Sequence, residues 1–232
     1  MNIIKTYAVN STCYIESKKM IPQGIVIHST GVNDPMLARY TDCPESTEKE
    51  CAHAFIGYDK EKNLSIAEVL PLDICCRNIG IGMKGSFDCN PPYIQLDVCE
   101  DGLRDRHYYN KVFCLAAEYC AYLCKKFNLD VKSIVSHKEA YEMGYGSNYA
   151  DPEYWMNIFG ETMGDFRRRV SNLLNISDKT DVDDVIGNKR ILPGWIKLQY
   201  LHLIQDLERR YPYGGDRGYS GTSRTTDKDV GT

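Results

Sequence analysis

Apolar positions along the chain follow two spacings, and together they predict a mixed α/β fold. Gly24-Ile25-Val26-Ile27 and Val131-Lys132-Ser133-Ile134-Val135 are short runs rich in β-branched residues, which read as buried strands. Each run leads into a histidine, His28 and His137. From Pro92 to Asp101, Ile94, Leu96 and Val98 alternate with Gln95, Asp97 and Cys99, predicting a half-buried strand with Asp97 on its polar face. Cys51–Tyr58 and Leu64–Leu70, joined by the turn Asp59–Asn63, read as a β-hairpin. The period then changes: Val112, Leu115, Ala116, Tyr119, Cys120, Leu123 and Phe127 recur at three- and four-residue steps, predicting a helix over Tyr108–Phe127 that Asn128 ends. This helix is the crossover that returns the His137 strand parallel to the sheet. Further helices are expected over Pro152–Phe159, closed by Gly160, and over Met163–Leu174. The fold class is therefore α/β, a mixed central sheet flanked by helices.

Beyond Asn175 the pattern changes. Residues 1–175 read as one domain, 176–192 as a polar linker, 193–211 as an amphipathic helix carrying Trp195, Leu198, Leu201, Ile204 and Leu207, and 212–232 as a disordered tail. That helix is too short for an independent domain; it docks on the first domain, self-associates or touches a partner. Asp181-Val-Asp183-Asp184 lacks the glycine and distal glutamate of a calcium loop.

Composition narrows the partners. A formal charge of −4 over 232 residues, with no concentrated basic stripe, argues against nucleic acid. The amino terminus lacks a basic-then-apolar secretory segment, and no stretch approaches the ~20 apolar residues of a membrane span. The expectation is a protein kept in the cytoplasm until lysis or a partner's pore releases it. Its ten cysteines include no CxxC pair, so no four-thiolate site is supported and free thiols are expected.

The candidate chemistry lies at the strand ends. His28 and His137, with Asp151 just ahead of a helix, form a three-ligand set with an open fourth position, the arrangement of catalytic zinc. Competing readings remain at each residue. A strand-end histidine is often only a half-buried hydrogen-bonding side chain. Asp151 before Pro152 has the expected chemistry of a helix N-cap with proline at the first helical position, a role compatible with metal ligation through the other carboxylate oxygen. Glu139 is a carboxylate that can orient His137, or a solvated side chain at the strand exit.

The motifs Gly-Ile-Val-Ile-His28-Ser-Thr-Gly, Cys-Ala-His53-Ala-Phe-Ile-Gly, Leu-Asp97-Val-Cys-Glu-Asp-Gly, Ser-His137-Lys-Glu-Ala and Ser-Asn-Tyr-Ala-Asp151-Pro-Glu-Tyr-Trp stand in one order. In that order the chain resembles the zinc-dependent N-acetylmuramoyl-L-alanine amidases of the second amidase family, nearest to amidase domains of phages and prophages, over roughly Met1 to Leu174. The resemblance implies peptidoglycan as substrate and Zn2+ on His28, His137 and Asp151. It implies that Asp97, where the family usually has glutamate, handles the proton of the attacking water. Tyr149 stands where relatives often carry lysine or histidine to stabilise the oxyanion, and a phenol can donate to that charge. Arg77-Asn78 replaces a Trp-His pair on the cleft wall; Arg77 can grip a peptide carboxylate or be merely solvated. His53 is expected on the cleft floor or behind a ligand, with Ala52 where relatives place a polar residue. These departures keep open a protein that binds muropeptides without cutting them, and a scaffold that acts through its C-terminal helix.

Overall fold

A computed structural model describes residues 1–41 and 51–183, with 176–183 as backbone alone. The predicted loop over 42–50, the helix 193–211 and the tail 212–232 lie outside the described residues. The elements run β1 (Ile3–Lys5), α1 (Thr12–Glu16), β2 (Gly24–Asn33), α2 (Ala38–Thr41), β3 (Ala54–Tyr58), β4 (Leu64–Glu68), β5 (Tyr93–Glu100), α3 (Arg106–Phe127), β6 (Ile134–Ser136), α4 (His137–Met143), α5 (Glu153–Ile158) and α6 (Met163–Asp183). Six strands form one sheet in the order β1-β4-β3-β5-β2-β6, in which only the β3–β4 hairpin is antiparallel.

The pleat sorts side chains between two cores. Ile25, Ile27, Ile94, Leu96 and Val98 face α3, α5 and α6. Val26 and Val135 turn to the opposite face, against Ile79, Phe87 and Ala140. Both faces of β5 are covered, so the expected half-buried strand is in fact buried throughout from Ile94 to Glu100, including Gln95, Asp97 and Cys99. A strand flanked on both edges and covered on both sides leaves its polar residues no route to solvent except at its end.

α3 ends at Phe127 as predicted and begins at Arg106, ahead of the predicted Tyr108. Asp105 accepts from the His107 N–H at 2.7 Å at the start, and Asn128, left-handed at φ 54°, closes the end through its N–H to the Cys124 carbonyl. Its apolar stripe meets a ring cluster in which Phe113 lies 5.2 Å from Trp155 and 6.2 Å from Phe166. Phe113→Ala is expected to lower stability by about 3–5 kcal/mol, the usual result of emptying an aromatic site in a packed core; urea unfolding checks it. α6 continues past Leu174, and residues 176–183, expected as linker, are helical. No glycine or proline interrupts 165–186, so the polar composition there did not mark a stop.

The cysteines depart from expectation. Cys13–Cys51 and Cys75–Cys89 are disulfides, whereas Cys76, Cys99, Cys114, Cys120 and Cys124 are free. The pairs are 38 and 14 residues apart, so only the fold brings them together.

Candidate metal centre

Register brings the first two groups together. In the parallel β2–β5 pair His28 stands beside Asp97 and Val26 beside Gln95, so His28, Gln95 and Asp97 share the face opposite α3. On the other side of β2, Ile27 pairs with Ser136, and His137 follows one step on. His137 is not a strand residue: it opens α4. Ser136 caps that helix, accepting from the Glu139 N–H, while Glu139 accepts from the Ser136 N–H in a capping box. Glu139 therefore differs from both expectations. Its carboxylate is used by the cap and by Arg167, at 2.8 and 2.9 Å, and not to orient His137.

Asp151 is also corrected. α5 starts at Glu153 with Pro152 in the capping position and no side-chain cap bond. The Asp151 carboxylate turns inward, 3.0 Å from His28 Nδ1 and 3.2 Å from His137 Nδ1. Its backbone carbonyl accepts from the His137 N–H at 3.1 Å, which pins it to the start of α4. The two imidazole Nδ1 atoms are 3.1 Å apart, and all three side chains are buried. For metal bonds of ~2.0–2.1 Å, the ligand atoms of a tetrahedral site stand about 3.3 Å from one another. The two imidazole nitrogens stand close to that spacing, Asp151 meets them through its two different oxygens, Oδ2 toward His28 and Oδ1 toward His137, and the donor set of two imidazoles and a carboxylate suits zinc. His28, His137 and Asp151 are the group among the described residues able to hold a metal ion.

The electrostatics agree with a site built for positive charge. Burial alone would lower His28, yet the hydrogen bond and charge of Asp151 push it up to about 9. Asp151 is held below the usual carboxylate range by its hydrogen bonds to both histidines, against burial. Asp97 goes the other way: burial raises it, with His28 opposing. Its Oδ2 accepts from Asn78 Nδ2 at 2.8 Å.

The remaining predicted residues fall in different places. His53 is fully buried, its Nε2 donating to the Ile74 carbonyl and its Nδ1 accepting from the Gln95 N–H, both at 2.9 Å. It lies behind the site with no exposed surface, enclosed by β3, β5 and the segment that follows β4. Burial lowers it to about 4. The unfolded chain therefore takes up a proton near pH 6.5 that the folded chain refuses, and stability present above pH 6.5 is lost toward pH 4. The loss is about 3 kcal/mol at most. Urea midpoints of metal-free protein between pH 7 and 4.5 are expected to fall more steeply for the parent than for His53→Gln.

Arg77 is half exposed and bonds Glu16 at 2.6 and 2.8 Å, so it is paired and not simply solvated. With Asn78 it lines a cavity of about 450 Å3 that also includes Lys18, Ile81 and Asp88. Tyr149 is 64% exposed, its ring 5.3 Å from that of His137. Sequence reasoning missed two partners of the histidines: Gln95 Oε1, 2.7 Å from His28 Nε2, and Ser147 Oγ, 3.1 Å from His137 Nε2. The available signal was Gln95 itself, an amide between the apolar Ile94 and Leu96 two residues before Asp97.

The fold is a mixed sheet that carries His28 and Asp97 within its parallel strands, with His137 directly after β6 and Asp151 before α5, a group able to hold a metal ion beside a buried carboxylate. The family model described as Amidase_2, N-acetylmuramoyl-L-alanine amidase, matches residues 18–153, and the chain belongs to that family. Among solved structures, the chain is similar to Staphylococcus aureus hydrolase AmiA in complex with its ligand, at 17% identity over 77% of this chain and 86% of that one, TM-score 0.62. It is similar to the catalytic domain of XlyA at 20% identity, covering 73% and 99%, TM-score 0.54. A mutant endolysin from Bacillus subtilis matches at 21% identity over 73% and 99%, TM-score 0.51. These likenesses are of fold. No curated protein matches the chain. Among the described residues no helix is long and apolar enough to cross a membrane.

Proposed function

We propose that the chain is a zinc-dependent endolysin-type amidase that cleaves the bond between the lactyl group of N-acetylmuramic acid and L-alanine in peptidoglycan. The observation that carries the reading is the convergence of His28 Nδ1, His137 Nδ1 and the Asp151 carboxylate at ligand spacing, next to buried Asp97. Zinc bound there would polarise the amide carbonyl and lower the pKa of water toward ~7.

The chain's own groups do the rest. Asp97 takes the proton of the attacking water and passes it to the departing amine of L-alanine. Asn78 fixes one Asp97 oxygen through Nδ2 and leaves the other for that proton. The Tyr149 phenol, exposed beside His137, donates to the developing oxyanion. Arg77 and Asn78 hold the stem peptide along the cavity they line, with a peptide carboxylate replacing Glu16 on Arg77. Because the substrate lies in the wall, the enzyme acts there, and lysis is the outcome.

The reading is tested on purified cell walls by counting new amino termini and new reducing sugar ends, with and without a zinc chelator. L-alanine amino termini without reducing ends, lost with chelator and restored by zinc, are expected. Reducing ends, or cleavage indifferent to chelator, would overturn it.

A further inference from the structure

Both candidate ligands have their outer ring nitrogen occupied, and both partners are oriented from a single loop. Gln95 is fully buried and its groups are all engaged. Its backbone N–H and carbonyl bond His53, its Nε2 donates to the Phe87 carbonyl at 3.0 Å, and its Oε1 faces His28 Nε2 at 2.7 Å. A carbonyl oxygen only accepts, so the Phe87 contact decides which end of the amide faces His28. Oε1 then needs a hydrogen on His28 Nε2, and the Nδ1 lone pair is left facing Asp151 and His137.

Ser147 repeats the arrangement on the second ring. Its hydroxyl donates to the Ile79 carbonyl at 2.8 Å and so presents a lone pair to His137 Nε2. Ile79 and Phe87 belong to the segment closed by the Cys75–Cys89 disulfide. Two glycines let that segment approach closely. A Cβ on Gly80, at φ +74°, would lie 2.9 Å from Ser147 Oγ, and one on Gly82 would lie 2.4 Å from the Gly144 carbonyl oxygen. Asn78 of the same segment holds Asp97.

We propose that Gln95 and Ser147 are positioning residues that fix His28 and His137 in the Nε2–H tautomer, so that both Nδ1 lone pairs are presented to one divalent cation. The loop carbonyls of Phe87 and Ile79 are the reference points from which both orientations are set. Outer partners of this kind change metal affinity by about 10–100-fold when removed. The assignment rests on the zinc reading above but makes a separate prediction, because it concerns affinity and ring protonation and not wall cleavage.

The test measures the zinc dissociation constant by chelator competition for the full chain and for Gln95→Met, Ser147→Ala and Ser147→Thr, together with the proton resonance of the His28 Nε2–H in zinc-loaded protein. Gln95→Met, near in volume but without the acceptor, is expected to weaken zinc about 10–100-fold and to lose the protected Nε2–H signal. Ser147→Ala should weaken it about 10-fold, with Ser147→Thr restoring parental affinity. Should Gln95→Met fail to fold, the half-buried Ser147 pair decides alone. Parental zinc affinity in Ser147→Ala, or in a folded Gln95→Met that keeps its Nε2–H signal, would overturn the positioning roles; a parent chain that binds no zinc would instead overturn the reading on which they rest.

Discussion

His137→Ala is expected to leave a folded protein that no longer retains zinc and no longer cuts cell walls. The substitution removes one of two imidazoles and leaves His28 with Asp151, a pair that satisfies itself as an ion pair at 3.0 Å. Two ligands hold zinc far more weakly than three, and without the ion water keeps its ordinary pKa of about 15.7. Wall cleavage should fall on the order of 10³-fold or more, since the metal's polarisation of the carbonyl is lost as well. His137 is the first residue of α4, whose capping box runs through Ser136 and Glu139 and survives the change. Metal analysis, circular dichroism and dye release from walls check the three parts. Retained zinc at parental occupancy would remove His137 from the ligand set.

Asp97→Asn separates metal binding from catalysis. The amide has nearly the same shape and can still meet Asn78, but it cannot accept a proton from water. A loss of about 10²–10⁴-fold in kcat with full zinc content is expected, the usual contribution of a positioned general base. The parent's acid limb carries a second signature. In the metal-free protein burial raises the Asp97 carboxyl, with His28 opposing; in the zinc-loaded enzyme activity should fall at acid pH as the base takes up its proton. The limb should flatten in Asp97→Asn. Parental activity in this variant would exclude Asp97 as the base.

Much of this architecture is legible in the amino-acid sequence. A continuous β-branched run needs no tertiary information to read as a buried strand, and seven apolar positions at helical spacing between Val112 and Phe127 define one face. The motif order around His28, Asp97, His137 and Asp151 points to the family whose model matches residues 18–153. Local inference fails at residues with two possible partners. Asp151-Pro152 has the chemistry of a helix start, but two imidazoles compete for the same carboxylate and win it. Glu139 lies two residues from His137 in a strand-like reading; once His137 opens a helix, Glu139 sits at the capping-box position and meets Arg167 instead.

Hydrophobic period and side-chain chemistry are local properties, and for that reason the strands, the crossover helix and the residue types of the centre are all written in the chain. How those groups are used is a matter of tertiary structure. Sheet register set His28 beside Asp97, burial on both faces enclosed Gln95, and the loop closed by Cys75–Cys89 reached Gln95 and Ser147, the neighbours of the two histidines. Hydrogen-bond partners are chosen among groups far apart in the chain, and no local pattern records which of them the fold brings within 3 Å.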